Sequence, residues 1–281
     1  MVAISHRHTS QPVNISLRPF VKARDRVQGQ VIARLWLTTW IGTVPTNLGV
    51  IAVYAYNEEF FAIRREVKNG MLSPVSYMIA NLGIQVPLMF ILCAFASISA
   101  YGILDFNGDK YFAVLVVHAI NLWVYERIAQ LLSISFDNSV MGMLMFVCAW
   151  FAGLLFGGVL VAEDDVVWPF RIMYWTLPMK WCLRSVMYLE LSDSTFKGAE
   201  LDVSSARGFT CGAGDELQCY GVTGTQVLDS IGRNYPSVSG TNTVAMDCGI
   251  MLAIGCFFMM CYVVLLQIRT TSAKAIKLPA Q

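Results

Sequence analysis

The chain has 281 residues, of which 56% are hydrophobic and 14% are charged, and its formal net charge at pH 7 is +1. Soluble domains carry about 25% charged residues, so this composition excludes an ordinary water-soluble globular protein. The net charge says nothing about partners, and no Lys/Arg-rich run with interleaved aromatic residues indicates nucleic acid. The apolar residues form runs that can cross a bilayer, which takes about 20 helical residues, so we predict an all-α, polytopic membrane protein.

The N-terminal part of the chain, residues 1–33, is predicted to be poorly structured, because it is polar and contains two prolines and scattered basic residues. It has no apolar core region and is therefore not a secretory signal peptide. It contains the chain's only usable N-glycosylation sequon, Asn14-Ile15-Ser16, which matters only if this end faces the lumen. The remainder, residues 34–281, is predicted to form one transmembrane domain.

The first predicted membrane helix, residues 34–57, is followed by a short, charged and amphipathic segment, residues 57–73. The run after this segment is again apolar, as is typical of a water-exposed turn that connects two membrane helices. Its basic residues Arg64, Arg65 and Lys68 indicate that the turn faces the cytoplasm, where the short loops of membrane proteins carry an excess of lysine and arginine.

Four further apolar segments bring the predicted number of membrane helices to about five. These segments are residues 74–101, 111–136, 139–162 and 244–268. Between the last two lies an amphipathic region, residues 163–190, whose Trp, Tyr, Pro and basic residues are typical of short helices in the membrane interface. The polar region that follows, residues 193–243, is the one sizeable loop of the sequence.

This loop is predicted to lie outside, because it is opposite the charged turn, and the C-terminus is predicted to be cytoplasmic. The same alternation puts the N-terminal segment outside, although it contains six Arg or Lys residues from Arg7 to Arg34, against the usual cytoplasmic bias. The outer loop, residues 193–243, contains Cys211 and Cys219. Since oxidising compartments preserve disulfides, we predict a bond between these cysteines, with two free thiols or an intermolecular bond as the alternatives.

Polar residues within the predicted spans are costly in lipid and should face other helices or a cavity. Asn47, in the first span, either bonds to a neighbouring helix or contacts a ligand. In the third span, which also carries His118 and Asn121, Glu126 and Arg127 can form polar contacts within the bundle. A position at the membrane boundary and a proton relay are the alternatives. One histidine is too little for a metal site, so neither a metal site nor a catalytic residue is predicted.

Several short motifs follow one another in an order that resembles the membrane domain of ABC exporters of the G subfamily, including the pleiotropic drug resistance type. The motifs are Glu59, Arg65-Glu66, Gly70-Met71-Leu72-Ser73, Tyr77, Gln85-Val86-Pro87, Phe156-Gly157-Gly158 and Tyr174-Trp175. The resemblance covers about residues 34–269. Leu72 and Gln85 depart from the family pattern, which has an aromatic residue and a glutamate at these places.

The resemblance implies that two such membrane domains enclose a cavity, which cytosolic ATPase domains open and close. Glu59, Arg65 and Glu66 would then form a coupling hairpin that passes the ATPase movement to the membrane helices. The matching positions are Asn47, Trp150, Phe151 and Leu154 for the substrate cavity and Val159 and Leu160 for an apolar valve below the exit. The alternative is that the aromatic and aliphatic cavity candidates face lipid or belong to the core.

The sequence contains no Gly-x-x-x-x-Gly-Lys-Ser/Thr phosphate loop, so we predict that this chain is not an enzyme and binds no cofactor itself. ATP and Mg would be bound by a separate or missing nucleotide-binding domain. The resemblance further implies that the family's first helix would be missing from this sequence or replaced by residues 1–33. We therefore predict the permease part of an ATP-driven exporter of lipids, sterols or amphipathic compounds, which suit an apolar cavity.

The predicted partners are the lipid bilayer, an ABC nucleotide-binding domain, a second transmembrane half and a lipophilic substrate. The predicted location is the plasma membrane or an endomembrane. The alternative function is that of a truncated, non-transporting membrane fragment, or of a regulatory or assembly partner of a full exporter.

Overall fold

The computed structural model describes residues 26–104, 108–158, 160–161, 165–202, 205, 208–211, 219–235 and 237–272. Most of these residues are helical. The α-helices are α1 (Val31–Thr43), α2 (Gly49–Lys68), α3 (Pro74–Leu104), α4 (Tyr111–Ser135), α5 (Ser139–Leu155), α6 (Arg171–Thr176), α7 (Met179–Leu191), α8 (Gly224–Gly232) and α9 (Val244–Ser272). Two short strands, β1 (Ala199–Leu201) and β2 (Phe209–Cys211), pair antiparallel within the outer loop.

Three helices of the described part of the chain are long and apolar enough to cross a membrane, and they confirm the predicted helical, polytopic class. These spans are Pro74–Ile98, Gly108–Ser135 and Val244–Thr270. Helix α5 has 17 residues and would be about 25 Å long, slightly short of a hydrocarbon core of about 30 Å. It ends before the predicted residue 162 because Gly158 follows with a φ of +81°, which a helix cannot contain.

The first predicted span, residues 34–57, is not one helix. Helix α1 ends at Thr43, a 3₁₀ turn covers Pro45–Leu48, and α2 continues beyond residue 57 to Lys68. Pro45 has no N–H to donate to the carbonyl four residues earlier, and its ring clashes with that carbonyl. Two threonine hydroxyls at the break donate to other main-chain carbonyls: Thr43 to Thr39 (2.5 Å) and Thr46 to Thr43 (2.6 Å).

Helix α4 is the centre of the bundle. In the most apolar stretch of α4, 67% of the residues are buried, whereas in the corresponding stretches of α3 and α9 only 22% are buried. Helices α2, α3, α5, α7 and α9 pack around it. The buried apolar side chains form three clusters along the bundle, and we call the end that carries the large polar loop the outer end. The outer cluster surrounds Leu35 and Leu228, the middle cluster surrounds Val124 and Phe146, and the inner cluster surrounds Phe60 and Leu266.

Residues 26–33 were assigned to the poorly structured N-terminal segment, but they are ordered. Arg26 to Gln28 lie against the outer loop, and a 3₁₀ turn over Gln28–Gln30 leads directly into α1. The cause is a set of long-range hydrogen bonds from the buried Gln28 side chain to Tyr220 and Gly221, which no local pattern reveals. Residues 1–25 lie outside the described part.

The connections separate into two ends of the bundle. At the end that we call inner, Arg269 of α9 bonds to Asp137 (2.9 Å) and to the carbonyl of Ser135 (3.1 Å), both beside the α4–α5 turn. At the outer end, Lys110 forms an ion pair with Asp193. Lys110 directly precedes α4, and Asp193 follows the end of α7. The turn between α2 and α3 belongs to the inner end, and the described residues of the loop 193–243 belong to the outer end.

Candidate functional site

The turn between α2 and α3 is closed by its own main chain. Gly70 has a φ of +75°, its N–H donates to the carbonyl of Val67 (3.1 Å), and the N–H of Met71 donates to the carbonyl of Glu66 (3.0 Å). This pair of bonds is a Schellman motif, which ends a helix at a glycine. Ser73 then caps α3 through its hydroxyl, which accepts from the N–H of Ser76 (3.1 Å). The turn is therefore short and well defined.

The three coupling candidates, Glu59, Arg65 and Glu66, all lie on the last three turns of α2, and all three side chains are exposed. Glu59 and Glu66 are seven residues apart and so lie on nearly the same face of the helix. Arg65 makes no ion pair with any residue that the structure describes. The structure thus brings these charges together at the inner end of one helix, where a second protein could contact them.

A buried polar cluster lies about one turn further into the bundle. The hydroxyl of Tyr56 in α2 donates to Oε1 of Glu126 in α4 (2.5 Å), and Nε2 of Gln85 in α3 donates to the Tyr56 oxygen. Next to it, Nδ2 of Asn57 donates to the carbonyl of Ser133 (2.7 Å). Three helices are therefore joined through one residue of α2, because Tyr56 is both a donor and an acceptor.

Arg127 is the most unusual residue of this cluster. Its side chain is fully buried, and its three guanidinium nitrogens have no hydrogen-bond partner within the described ranges. The guanidinium carbon lies 5.6 Å from the ring centroid of Trp123, so a cation–π contact is its main specific interaction. Charged side chains in membrane segments are expensive and usually mark functional sites. Glu126 makes a polar contact within the bundle through Tyr56, whereas Arg127 interacts with Glu126 electrostatically, without a hydrogen bond.

Of the cavity candidates, Asn47 lies in the α1–α2 break, and Trp150, Phe151 and Leu154 lie on α5. The indole N–H of Trp150 donates to the Thr46 hydroxyl (2.9 Å) and to the carbonyl of Thr43 (3.2 Å), so this tryptophan is attached to the break. Asn47 is exposed beside Thr46. Phe151 and Leu154, on the same helix as Trp150, are respectively exposed and half-buried. The structure thus places Asn47 and Trp150 beside the same break, where the Trp150 indole is held by hydrogen bonds to Thr43 and Thr46.

Of the two valve candidates, Val159 lies outside the described residues, and the Leu160 side chain is exposed. Just before them, Gly158 packs so closely on Ser237 of the outer loop that a Cβ there would lie 1.5 Å from the serine oxygen. The same hydroxyl is 3.2 Å from that of Tyr174 in α6. Only glycine fits this contact, which holds the outer loop against the end of α5.

The outer loop is covalently closed by a disulfide between Cys211 and Cys219. Next to it, burial raises the pKa of the Tyr220 hydroxyl. Helix α8 follows and begins with a capping box, in which Thr223 and Gln226 each bond to the main chain of the other. Its apolar face completes the outer cluster of buried side chains.

A second charged site, which the sequence did not indicate, fixes α9 to α7. Asp247 is fully buried, and its carboxylate accepts two hydrogen bonds from Arg184, one of them at 2.9 Å. It also accepts from the hydroxyls of Ser185 (3.0 Å) and Thr243 (3.1 Å). The signal that could have indicated this site is an aspartate in the first turn of an apolar helix, which needs a partner in the membrane.

The described residues contain no group of three or more His, Cys, Asp or Glu side chains that could hold a metal ion. His118 is buried, and Asn121 beside it donates to the carbonyl of Gly42 (3.3 Å) in α1. This arrangement fastens α4 to α1.

Comparison with known proteins agrees with the motifs. The sequence profile of the family described as ABC-2 type transporter matches residues 19–191. ABC transporter G family member 45 of Oryza sativa subsp. japonica is 24% identical over 140 residues, which are 49% of this chain and 10% of the rice protein. Pleiotropic drug resistance protein 1 of Nicotiana tabacum is 26% identical over 134 residues, which are 46% of this chain and 9% of the tobacco protein.

These similarities confirm the predicted resemblance to the membrane domain of G-type ABC transporters. The matched stretch of this chain spans about a tenth of the length of either relative. The similarity therefore concerns a membrane domain, and the activities of the complete relatives do not follow from it.

Proposed function

The chain belongs to the ABC-2 type transporter family, and on that premise we propose that it is the permease part of an ATP-driven exporter of lipids, sterols or other amphipathic compounds. Its partners in this proposal are a nucleotide-binding domain, which binds ATP and Mg, and a second membrane half. Exposed apolar side chains on α5 and at the α1–α2 break support the second partnership. The substrate class is supported by the apolar character of that face, since amphipathic ligands bind mainly by apolar burial.

The orientation that we propose puts the α2–α3 turn in the cytoplasm and the disulfide-bonded loop outside. Arg64, Arg65 and Lys68 support the first assignment through the cytoplasmic bias of basic residues in short loops. The bond between Cys211 and Cys219 supports the second, because disulfides persist in oxidising compartments. In this orientation the C-terminus after α9 is cytoplasmic, in the plasma membrane or an endomembrane.

The observation that carries the transport proposal is the continuity of α2. One unbroken helix connects the exposed charges Arg65 and Glu66 with Tyr56, which bonds to α3 and α4 about 15 Å further into the bundle. A push on the inner end of such a helix reaches the buried cluster without an intervening loop. Above Tyr56 the α1–α2 break gives the helix a place to bend. The ATPase domain would move α2, and α2 would rearrange the face that binds substrate.

The experiment that tests this proposal uses the complete transporter, reconstituted with its ATPase domain and second half in lipid vesicles. Arg65→Ala and Glu66→Gln should lower transport and substrate-stimulated ATPase activity about tenfold or more, while the protein level in the membrane stays normal. Losing a charge-assisted contact costs roughly 1.5–3 kcal/mol, which is a tenfold or larger loss of coupling. Glu58→Gln is the matched control, because Glu58 is also exposed on α2 but is outside the matched motif.

Wild-type transport by both variants would contradict the coupling role and would leave the turn as a determinant of topology alone. ATP-driven transport by this chain without any partner would contradict the proposal that transport requires a nucleotide-binding domain and a second membrane half. If the chain instead changed the activity of a complete exporter without adding transport of its own, the regulatory alternative would be correct.

A further inference from the structure

We propose that a groove between α3 and α9 binds a long-chain carboxylate, with the hydrocarbon chain in the groove and the carboxylate at Arg127. Helices α3 and α9 form the walls of this groove and α4 forms its floor, and we call it the α3–α9 groove. It is separate from α5 and the α1–α2 break, where the cavity candidates of the proposed exporter lie. The inference therefore goes beyond transport and can be tested on this chain without its partners.

The α3–α9 groove is long and apolar. It consists of two cavities of about 380 and 290 Å³, which share Leu82 of α3 and Met259 of α9. Along α3 it extends from Val75 to Phe90, which is about 22 Å of helix and most of a hydrocarbon core of about 30 Å. Apart from Gln267 near the inner end, the lining side chains are aliphatic, aromatic or sulfur-containing. A groove of this shape and polarity fits an extended hydrocarbon chain.

The lining side chains favour a flexible chain over a transmembrane helix as the occupant. Membrane helices pack closely through small residues, but only Ala119 and Cys256 among the lining residues are small. Methionine side chains are unbranched and adapt to ligands of varied shape. The groove contains four of them, Met78, Met89, Met259 and Met260. Such walls can close around a hydrocarbon chain, whereas they would hold the backbone of a second helix at a distance.

The floor of the groove leads to Arg127. Ala119 and Trp123 line the groove, and Arg127 follows at the same spacing of four residues, so all three lie on one face of α4. Long helical side chains lean towards the N-terminus of their helix. The guanidinium carbon of Arg127 accordingly lies 5.6 Å from the ring centroid of Trp123. One aromatic side chain thus connects the buried cation with the apolar groove.

The donors at this end of the groove match a carboxylate. All three guanidinium nitrogens of Arg127 and Nε1 of Trp123 are buried without a hydrogen-bond partner among the described residues. Glu126 attracts Arg127 electrostatically, but its carboxylate accepts a hydrogen bond from Tyr56. A guanidinium binds the two oxygens of a carboxylate in a planar, bidentate way, and one arginine neutralises one carboxylate. A phosphate monoester would carry more negative charge than this single cation can neutralise.

The depth of Arg127 makes charge the basis of selection. Arg127 is about 12 Å along α4 from the inner end of the helix at Ser135, and so lies within the hydrocarbon core. A carboxylate at this depth is stable only beside a partner of opposite charge. Leu82 and Met259 line the same cavity as Trp123, so the head group would lie at this junction with its chain along the groove.

The test is photolabelling of the full chain in nanodiscs of neutral phosphatidylcholine. The probe is hexadecanoic acid with a diazirine in its chain, and labelled peptides are identified by mass spectrometry. We expect label on α3 and α9 along the groove. Unmodified hexadecanoic acid should compete roughly tenfold better than hexadecylamine, because the amine cannot form the charge-assisted contact. Equal competition by acid and amine, or label spread evenly over the lipid-facing helices, would overturn the proposal.

Three variants separate the groove from the head-group contact. Arg127→Met should keep label in the groove but lose the preference for acid over amine. Leu82→Trp should fill the junction of the two cavities and remove the label. Ile84→Trp is its matched control, because Ile84 is on the same helix at nearly the same depth but is 72% exposed outside the groove. Acid preference that persists in Arg127→Met would refute the role of Arg127, and wild-type label in Leu82→Trp would refute the groove as the site.

Discussion

At the outer end of the bundle, the buried carboxylate of Asp247 accepts hydrogen bonds from Arg184, Ser185 and Thr243. At the inner end, the buried guanidinium of Arg127 has no hydrogen-bond partner within the described part of the chain. Both sites contain a fully buried charge, but only the outer charge is held by hydrogen bonds to described residues. Because a buried charge without hydrogen bonds is costly, we expect the inner end to rearrange more easily than the outer end.

We infer from this comparison which half would move in the proposed transport. The outer half is cross-linked by a disulfide, by the Asp247 site and by the hydrogen bonds of Gln28, so its parts should keep one arrangement. The inner half is joined by hydrogen bonds of Tyr56, Asn57 and Arg269, with no disulfide among its described residues, and it contains a guanidinium without hydrogen bonds. We therefore interpret the outer half as a fixed cap and the inner half as the part that would change in the proposed transport.

The largest effect is expected at the outer charge. Asp247→Asn would leave Arg184 without its counter-ion and should lower the free energy of unfolding by about 3–5 kcal/mol, as measured by thermal unfolding in detergent. Asp137→Asn is the control, because the Asp137 side chain is 96% exposed and its pair with Arg269 is worth about 1 kcal/mol or less. Equal losses in both variants would remove the distinction between compensated and exposed pairs.

At the inner end the expected sign is opposite. Arg127→Met replaces a buried charge by an apolar side chain of similar length and should stabilise the protein by about 1–4 kcal/mol in the same assay. The same variant should lose transport in the reconstituted complex, because the cluster can no longer change its pairing. Arg127→Lys keeps the charge and should bring no gain in stability. A clear loss of stability in Arg127→Met would show that the guanidinium is compensated.

A smaller effect is expected from the disulfide of the cap. The bond closes a loop with a sequence separation of 8, which corresponds to about 2–3 kcal/mol of stabilisation in the loop-closure description. Replacing both Cys211 and Cys219 by serine should lower the unfolding temperature but leave the coupling between ATPase activity and transport unchanged. Uncoupling in this variant would contradict the assignment of the outer loop to the fixed half.

The long helices could be predicted from the sequence, because a chain in lipid must satisfy its main-chain polar groups internally. Helix α4 was predicted as residues 111–136 and is observed as Tyr111–Ser135.

Prolines were less informative about where a membrane helix breaks. Pro87 lies inside the continuous helix α3, whereas Pro45 breaks a span. The hydroxyls of Thr43 and Thr46 stabilise the broken form, and only the folded structure shows these contacts.

The candidate site was predictable where its residues are close in sequence, as for Glu59, Arg65 and Glu66 at the end of α2. The buried cluster was not predictable, because Tyr56 and Glu126 are 70 residues apart and either could have bonded elsewhere. The roles of the coupling and cavity residues remain predictions. For Gln28, too, the deciding contacts are with residues far along the chain, in the outer loop.

The central claim is that α2 carries movement from its exposed inner end to the buried cluster. A double-mutant cycle with Arg65→Ala and Tyr56→Phe tests it most directly, with substrate-stimulated ATPase activity of the reconstituted transporter as the readout. Residues about 15 Å apart normally have effects that add to within about 0.3–0.5 kcal/mol. If α2 transmits the movement, the double variant should be no worse than the more defective single variant, which is a clear departure from additivity. Additive losses would show that the two positions act independently and would contradict the account.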